Sequence, residues 1–215
     1  MAAAGTHEVV RSLLSPPTGG RVLDVGAGEG AFTQWLHQAG YRPIAVGIMA
    51  DQYRYERAPF VCANVDQGLP IASATVDGIV AIELVEHLEQ PIRLLHEASR
   101  CLVPGGWLIL TTPNVLSLGS KLSLVLRNYP IHFGPSDYRD NGHISPLSRI
   151  ELERGATRAG LSIEAITYNV GKLPIPRLRH RFVLRAPIFR NELWGETLII
   201  RMRKLAEPPA QFTRG

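Results

Sequence analysis

Cysteine is nearly absent, with Cys62 and Cys101 the only two in 215 residues. A pair this sparse does not make a disulfide framework, so both are expected as buried free thiols among apolar neighbours. Long apolar runs are also missing. No stretch approaches the roughly 18 apolar residues that span a bilayer. The opening MAAAGTHEVVRSLL has no basic leader ahead of an apolar segment, which predicts a cytoplasmic protein. An excess of one charge is lacking too: 23 Lys and Arg stand against 19 Asp and Glu, a net charge of +4. Low-complexity tracts and internal repeats are absent, which excludes solenoids and fibrous classes.

Against these absences, hydrophobic residues make up 45% of the chain and charged residues 20%, enough for a packed core and too apolar for disorder. The length suits one α/β core, so residues 1–215 are expected to form a single domain. A short helix is predicted after Thr6, on Val9, Val10, Leu13 and Leu14. Then comes a β-prone run, Arg21 to Val25, a glycine turn, and a helix on Phe32, Trp35, Leu36 and Ala39. Pro43 to Ile48, Phe60 to Ala63 and Val76 to Ile82 read as short buried strands. Pro91 opens a helix that Pro104-Gly105-Gly106 stops before a strand at Trp107 to Thr112. Strands alternating with helices predict a doubly wound, mostly parallel α/β sheet that binds ligands beyond the carboxyl ends of its strands.

The alternation breaks between Pro113 and Pro146, a stretch rich in Pro, Gly, Asn, His and Tyr around one apolar run, Leu116 to Leu126. A cap over the binding site is expected there. The chain thus divides into a core at 21–112, a cap at 113–146, and a C-terminal part at 147–215 with a helix from Ser148 to Ala159 and strands at Ser162 to Val170 and Glu196 to Arg203. Leu116 to Leu126 with Lys121 and Arg127 suits either peripheral contact with a membrane or a helix closing the pocket, and the second is favoured. Lys172, Arg177, Arg179, Arg181, Arg185 and Arg190 form a basic stretch that suits an anionic small molecule or a solvated loop. Nucleic acid ranks last, because no aromatic stacking platform accompanies it.

The turn itself is VLDVGAGEG, Val22 to Gly30. Glycines at 26, 28 and 30 allow a sharp bend and close approach of backbone to ligand. The segment resembles the first signature of class I S-adenosylmethionine-dependent methyltransferases of the small-molecule group. Further segments agree in order: Val76 to Glu83 with Val85-Glu86-His87-Leu88, and Leu102-Val103-Pro104-Gly105-Gly106-Trp107. The resemblance implies a Rossmann-like fold, S-adenosyl-L-methionine as cofactor, and methylation of a small acceptor, most often at oxygen. Quinone precursors, sugars and lipid-linked molecules are the acceptor types it brings.

Carried over by position, the loop Gly26, Ala27, Gly28 and Gly30 would contact the amino-acid part of the cofactor, and Asp24 its ammonium group. The ribose-binding acid expected after the second strand is replaced by Met49, with Asp51 the nearest carboxylate. Asn64 and Val65 fall where the family contacts adenine, with Asp66 as the alternative acid, and Ile82 and Glu83 close the fourth strand. His87 and His143 are the candidate bases, His143 within the cap and His87 in a turn that is structural in many relatives. No metal is expected, since His132, Asp137, Asp140 and His143 have no ligand spacing of known type.

Two rival classes remain. Gly26, Gly28 and Ala31 also satisfy the looser fingerprint of nicotinamide-dependent oxidoreductases. Glu29, a carboxylate at the mouth of the following helix, would compete with a pyrophosphate for the same amides. A non-catalytic protein that only binds S-adenosylmethionine is the other rival, raised by Met49 and by the lack of an evident base.

Overall fold

The computed structural model describes residues 5–14, 19–170, 173–175, 182–184 and 190–206. Among the basic residues singled out above, Lys172, Arg177, Arg179, Arg181 and Arg185 lie outside the described residues, and Arg190 is exposed.

Seven strands form one sheet: β1 (Arg21–Val25), β2 (Arg42–Gly47), β3 (Phe60–Cys62), β4 (Val76–Ala81), β5 (Leu102–Pro113), β6 (Leu161–Tyr168) and β9 (Thr197–Lys204). Their order is β3-β2-β1-β4-β5-β9-β6. The pairs among β1 to β5 are parallel, and β9 runs antiparallel to both β5 and β6. Two short strands, β7 (Leu173–Ile175) and β8 (Phe182–Leu184), pair apart from it.

Side chains alternate between faces along each strand, and the sequence supplies apolar residues for both. On one face Leu23, Ile79, Leu108, Leu110, Leu198 and Ile200 pack under Leu94, Leu95 and Ala98 of α3 (Pro91–Cys101) and Leu152 and Ala156 of α6 (Arg149–Arg158). On the other, Val22, Val80, Trp107, Ile109 and Ile199 meet Val9 and Val10 of α1 (Thr6–Leu13) and Phe32 and Leu36 of α2 (Ala31–Gln38). The charged residues of β9 do not break this layer. Arg201 is buried, but it pairs with Glu164 at 2.7 Å and donates to the Leu13 carbonyl. Cys101 is buried as expected, whereas Cys62 is exposed. It ends β3, and β3 is an edge strand only three residues long.

The stretch after β5 is more regular than its composition suggests. It holds two helices, α4 (Leu118–Arg127) and α5 (Pro135–Asn141). Ser117 caps α4 by accepting from the Ser120 amide at 3.2 Å, and Asn128 at φ 66° ends it. Pro at the first turn and the Asp137 carboxylate, accepting from the Gly134 amide at 3.0 Å, start α5. The helix α4 buries Ser120 and Ser123 and exposes Leu122, Leu124, Val125 and Leu126. It does not wall the binding cavity, whereas α5 reaches it through Asn141.

No helix of the described residues is long and apolar enough to cross a membrane.

Candidate functional site

The strand order reverses direction between β1 and β4, and in such sheets the crevice beyond the carboxyl ends of those strands receives ligands. A cavity of about 510 Å³ lies there, within the size range of small-molecule sites. Most of its wall follows strand ends: Gly26 and Gly28 after β1, Gly47, Ile48 and Met49 at β2, Ala63 and Asn64 after β3, Glu83 and Leu84 after β4.

The glycine turn is anchored by two amides, Gly26 and Ala27, which both donate to the Val46 carbonyl at 2.8 and 3.2 Å. Gly26, Gly28 and Gly30 have φ of 78°, 53° and 91°, a region that side chains rarely adopt. A Cβ on Gly28 would meet nothing within 4 Å, because the space beside it is the cavity. Gly30 has a different reason to be glycine. A Cβ there would stand 2.7 Å from the Tyr53 ring, so this residue serves packing behind the turn and not the cavity wall.

Asp24 also sits behind the turn. It is buried, accepts a hydrogen bond from the Thr33 hydroxyl at 2.5 Å, and is not on the cavity wall. Burial pushes its carboxyl up to about 6, opposed by the Thr33 bond.

After β2, residues Ala50–Gln52 form one turn of 3-10 helix. In such a turn residues three apart eclipse, so Met49 and Gln52 share the side that faces the cavity, and both line it. Asp51 is exposed, off the wall, and engaged only through its carbonyl, which accepts from Arg54 at 2.7 Å. Among these residues it is Met49 and Gln52, and not Asp51, that reach the cavity. Gln52 was missed because its position relative to Met49 depends on a turn type that the sequence does not announce.

Asn64, Val65 and Asp66 all line the cavity. The Asn64 side chain accepts from the Asp66 amide at 3.0 Å, and the Asp66 carboxylate accepts from the amides of Glu89 and Gln90 at 3.2 and 3.0 Å. Ile82 faces away, packing with Val80 and Ile109. Glu83 is on the wall in a left-handed conformation, φ 50°, with its amide donating to the Thr111 hydroxyl at 2.9 Å. A non-glycine residue held there costs of order 1 to 3 kcal/mol and persists only where its surroundings fix it.

The next turn, Val85–His87, is bonded to the segment that follows α5. The amides of Ile144 and Ser145 donate to the Glu86 carbonyl at 2.9 and 3.0 Å, and the Ser145 hydroxyl donates to the Leu88 carbonyl at 2.7 Å. These bonds hold His143 against His87, with ring centroids 4.8 Å apart at 75°. His87 lines the cavity, and desolvation lowers its pKa. Its Nδ1 faces the Gly142 carbonyl at 3.2 Å, while Nδ1 of His143 faces the His132 carbonyl at 2.7 Å. A carbonyl only accepts, so each Nδ1 carries a proton, and in the neutral ring the lone pair then lies on Nε2.

Glu86, beneath this pair, is fully buried, and burial with the nearby Glu83 carboxylate pushes it up to about 8. The residues His132, Asp137, Asp140 and His143 do not converge. Among the described residues one grouping of metal-ligand type occurs, Glu86, His87 and His143.

These features define a doubly wound α/β protein with a small-molecule cavity at the switch point of its sheet, and comparison with known proteins narrows the class. A methyltransferase-domain family matches residues 3–166. A relative in Mycolicibacterium smegmatis, named a probable S-adenosylmethionine-dependent methyltransferase, is 32% identical over 204 residues, covering 90% of this chain and 74% of its own. A ubiquinone biosynthesis O-methyltransferase of Xanthomonas axonopodis is 26% identical over 163 residues, covering 70% of this chain and 66% of its own. In fold, a SAM-dependent methyltransferase structure from Archaeoglobus fulgidus superposes with a TM-score of 0.66 at 20% identity, covering 93% of this chain and 95% of its own. The chain belongs to the class I S-adenosylmethionine-dependent methyltransferases.

The walls fit that family's cofactor. Open backbone at Gly28, apolar Ile48, Met49, Phe60, Val65 and Leu88, and polar Gln52 and Asn64 suit a nucleoside with an amino-acid tail.

Proposed function

We propose that this methyltransferase acts on a hydroxyl of a small molecule, which enters between the cap and the turn after β4. The observation that carries this reading is His87 on the cavity wall with His143 packed against it, two imidazoles whose Nδ1 atoms face carbonyls and which the cap-to-core bonds bring together. The likeness to a ubiquinone biosynthesis O-methyltransferase supports oxygen as the methylated atom.

The cofactor, when bound, supplies a sulfonium methyl group that an in-line nucleophile removes. The chain's own contribution is position and proton transfer. The cavity walls and Asn141 of the cap hold donor and acceptor in line, which lowers the barrier by restricting their relative motion. A hydroxyl is a weak nucleophile until its proton leaves, and a neutral imidazole within reach accepts it. The lowered pKa of His87 keeps that ring neutral near pH 7. An acceptor panel tests the reading. With labelled S-adenosylmethionine, phenols and sugar hydroxyls should take up methyl while matched amines do not, and methylation of amines alone would overturn it.

For the cofactor we assign adenine to the wall of Asn64 and Val65, the ribose to Met49 and Gln52, and the amino-acid part to the turn at Gly26 to Gly28. A carboxylate facing two hydroxyls makes charge-assisted bonds worth about 1.5 to 3 kcal/mol each. Met49→Asp should therefore tighten S-adenosylhomocysteine binding by roughly tenfold, and Gln52→Ala should weaken it severalfold, both read by calorimetry. If neither affinity moves, the ribose lies elsewhere.

A further inference from the structure

We propose that Glu86, His87 and His143 form a binding site for a divalent first-row transition ion of the zinc type, which fastens the cap to the turn after β4. One ligand atom from each residue lies within 4.8 Å of the others. Ligand atoms about 2.1 Å from one ion stand at most about 4.2 Å apart, so side-chain movements below about 1 Å close the three onto a metal.

Three independent features make this a built site and not a chance meeting of side chains. Glu86 is fully buried, and neither carboxylate oxygen accepts a hydrogen bond of ordinary geometry. The adjacent Thr112 hydroxyl, which helps to lower the Glu86 pKa, is itself without such a partner. Buried carboxyl oxygens left without a partner are costly, and a cation would engage them. Both imidazoles are already oriented by carbonyls at Nδ1, which is how metal-ligating histidines are held, with the other ring nitrogen free for the ion. The cap segment carrying His143 is pinned by two amides to the carbonyl of Glu86 itself, so the third ligand is delivered by the same contact that closes the cap.

The donor set selects the metal. Magnesium and calcium prefer all-oxygen surroundings, whereas two imidazoles and one carboxylate suit zinc, cobalt, iron or manganese. Three protein ligands leave a coordination position open, and His87 lines the cavity. An ion there would acidify an acceptor hydroxyl directly. This rests on the hydroxyl reading above but changes the imidazoles' part in it, since a ligated ring has no lone pair left for a proton and the ion would activate the hydroxyl instead; metal binding is measured without any acceptor, so the two can fail separately.

The test titrates Co²⁺ into full-length protein stripped with chelator and dialysed, and follows the visible d–d absorption of bound cobalt. One equivalent should bind, Zn²⁺ should displace it, and the bands should report nitrogen and oxygen ligands. His143→Ala, on the half-exposed cap, and Glu86→Gln should each weaken binding at least about tenfold. Cys62→Ser, which removes the exposed thiol, should change nothing. In the parent, Zn²⁺ should also slow amide exchange in residues 135–145, an effect lost in His143→Ala. No binding, or equal Co²⁺ affinity in the parent and both ligand variants, would overturn the site. If S-adenosylhomocysteine binds and hydroxyls are methylated in metal-free protein at the full rate, the proposed function stands without the ion.

Discussion

Gly28→Val is expected to abolish S-adenosylhomocysteine binding while leaving the protein folded. Gly28 is on the cavity wall, and a side chain added there meets no protein atom within 4 Å. The branched side chain of valine would fill space that the ligand needs. The cost to the fold is backbone strain at φ 53°, about 1 to 2 kcal/mol for a residue forced left-handed. That is small beside the 5 to 15 kcal/mol typical of a folded domain. Gly30→Val makes the contrast, because a Cβ at that position runs into the Tyr53 ring at 2.7 Å. It should lower the melting temperature first and lose binding only as a consequence. Calorimetry beside thermal denaturation separates the two, and retained affinity in Gly28→Val would place the cofactor in another part of the molecule.

His143→Ala is expected to reduce turnover by roughly a hundredfold or more, the loss usual when a positioned proton acceptor is removed. Cofactor affinity should stay within about twofold, since His143 is not on the cavity wall. The fold should tolerate the change. The amides of Ile144 and Ser145, which pin the cap to Glu86, are untouched, and the side chain loses only its contact with the His132 carbonyl and its stacking on His87 and Phe133. The comparison requires the true acceptor and reads kcat separately from the cofactor dissociation constant. Equal turnover in variant and parent would return His143 to a surface role.

The parallel strands and the glycine turn were legible because their signals are local. Val22, Leu23 and Val25 must be apolar to pass through the middle of a sheet, and Gly26 and Gly28 must be glycine to turn at positive φ. The cap was legible only as an interruption. Its composition does not show that Ser120 and Ser123 of α4 face inward while the leucines face out, nor that α5 carries Asn141 to the cavity. Asp51 was named as the nearest carboxylate to Met49, and a single 3-10 turn brings Gln52 to the cavity wall beside Met49 instead. Glu86 was quoted only as part of the Val85-Glu86-His87-Leu88 segment, whose local spacing does not show that the side chain is buried. Its burial arises from residues 144 and 145, which return from the cap and pair with its own carbonyl. Pairings between residues more than fifty positions apart leave no mark in local spacing.

The most direct measurement titrates S-adenosylhomocysteine into the purified protein, with NADH as the control, and follows the melting temperature. A ligand that binds only the folded state stabilises it by about 2.7 kcal/mol at a hundred times its dissociation constant. The cavity beyond β1, β2 and β3 predicts saturable stabilisation by S-adenosylhomocysteine and none by NADH. Absence of any shift with S-adenosylhomocysteine, or an equal shift with NADH, would contradict the assignment of that cavity.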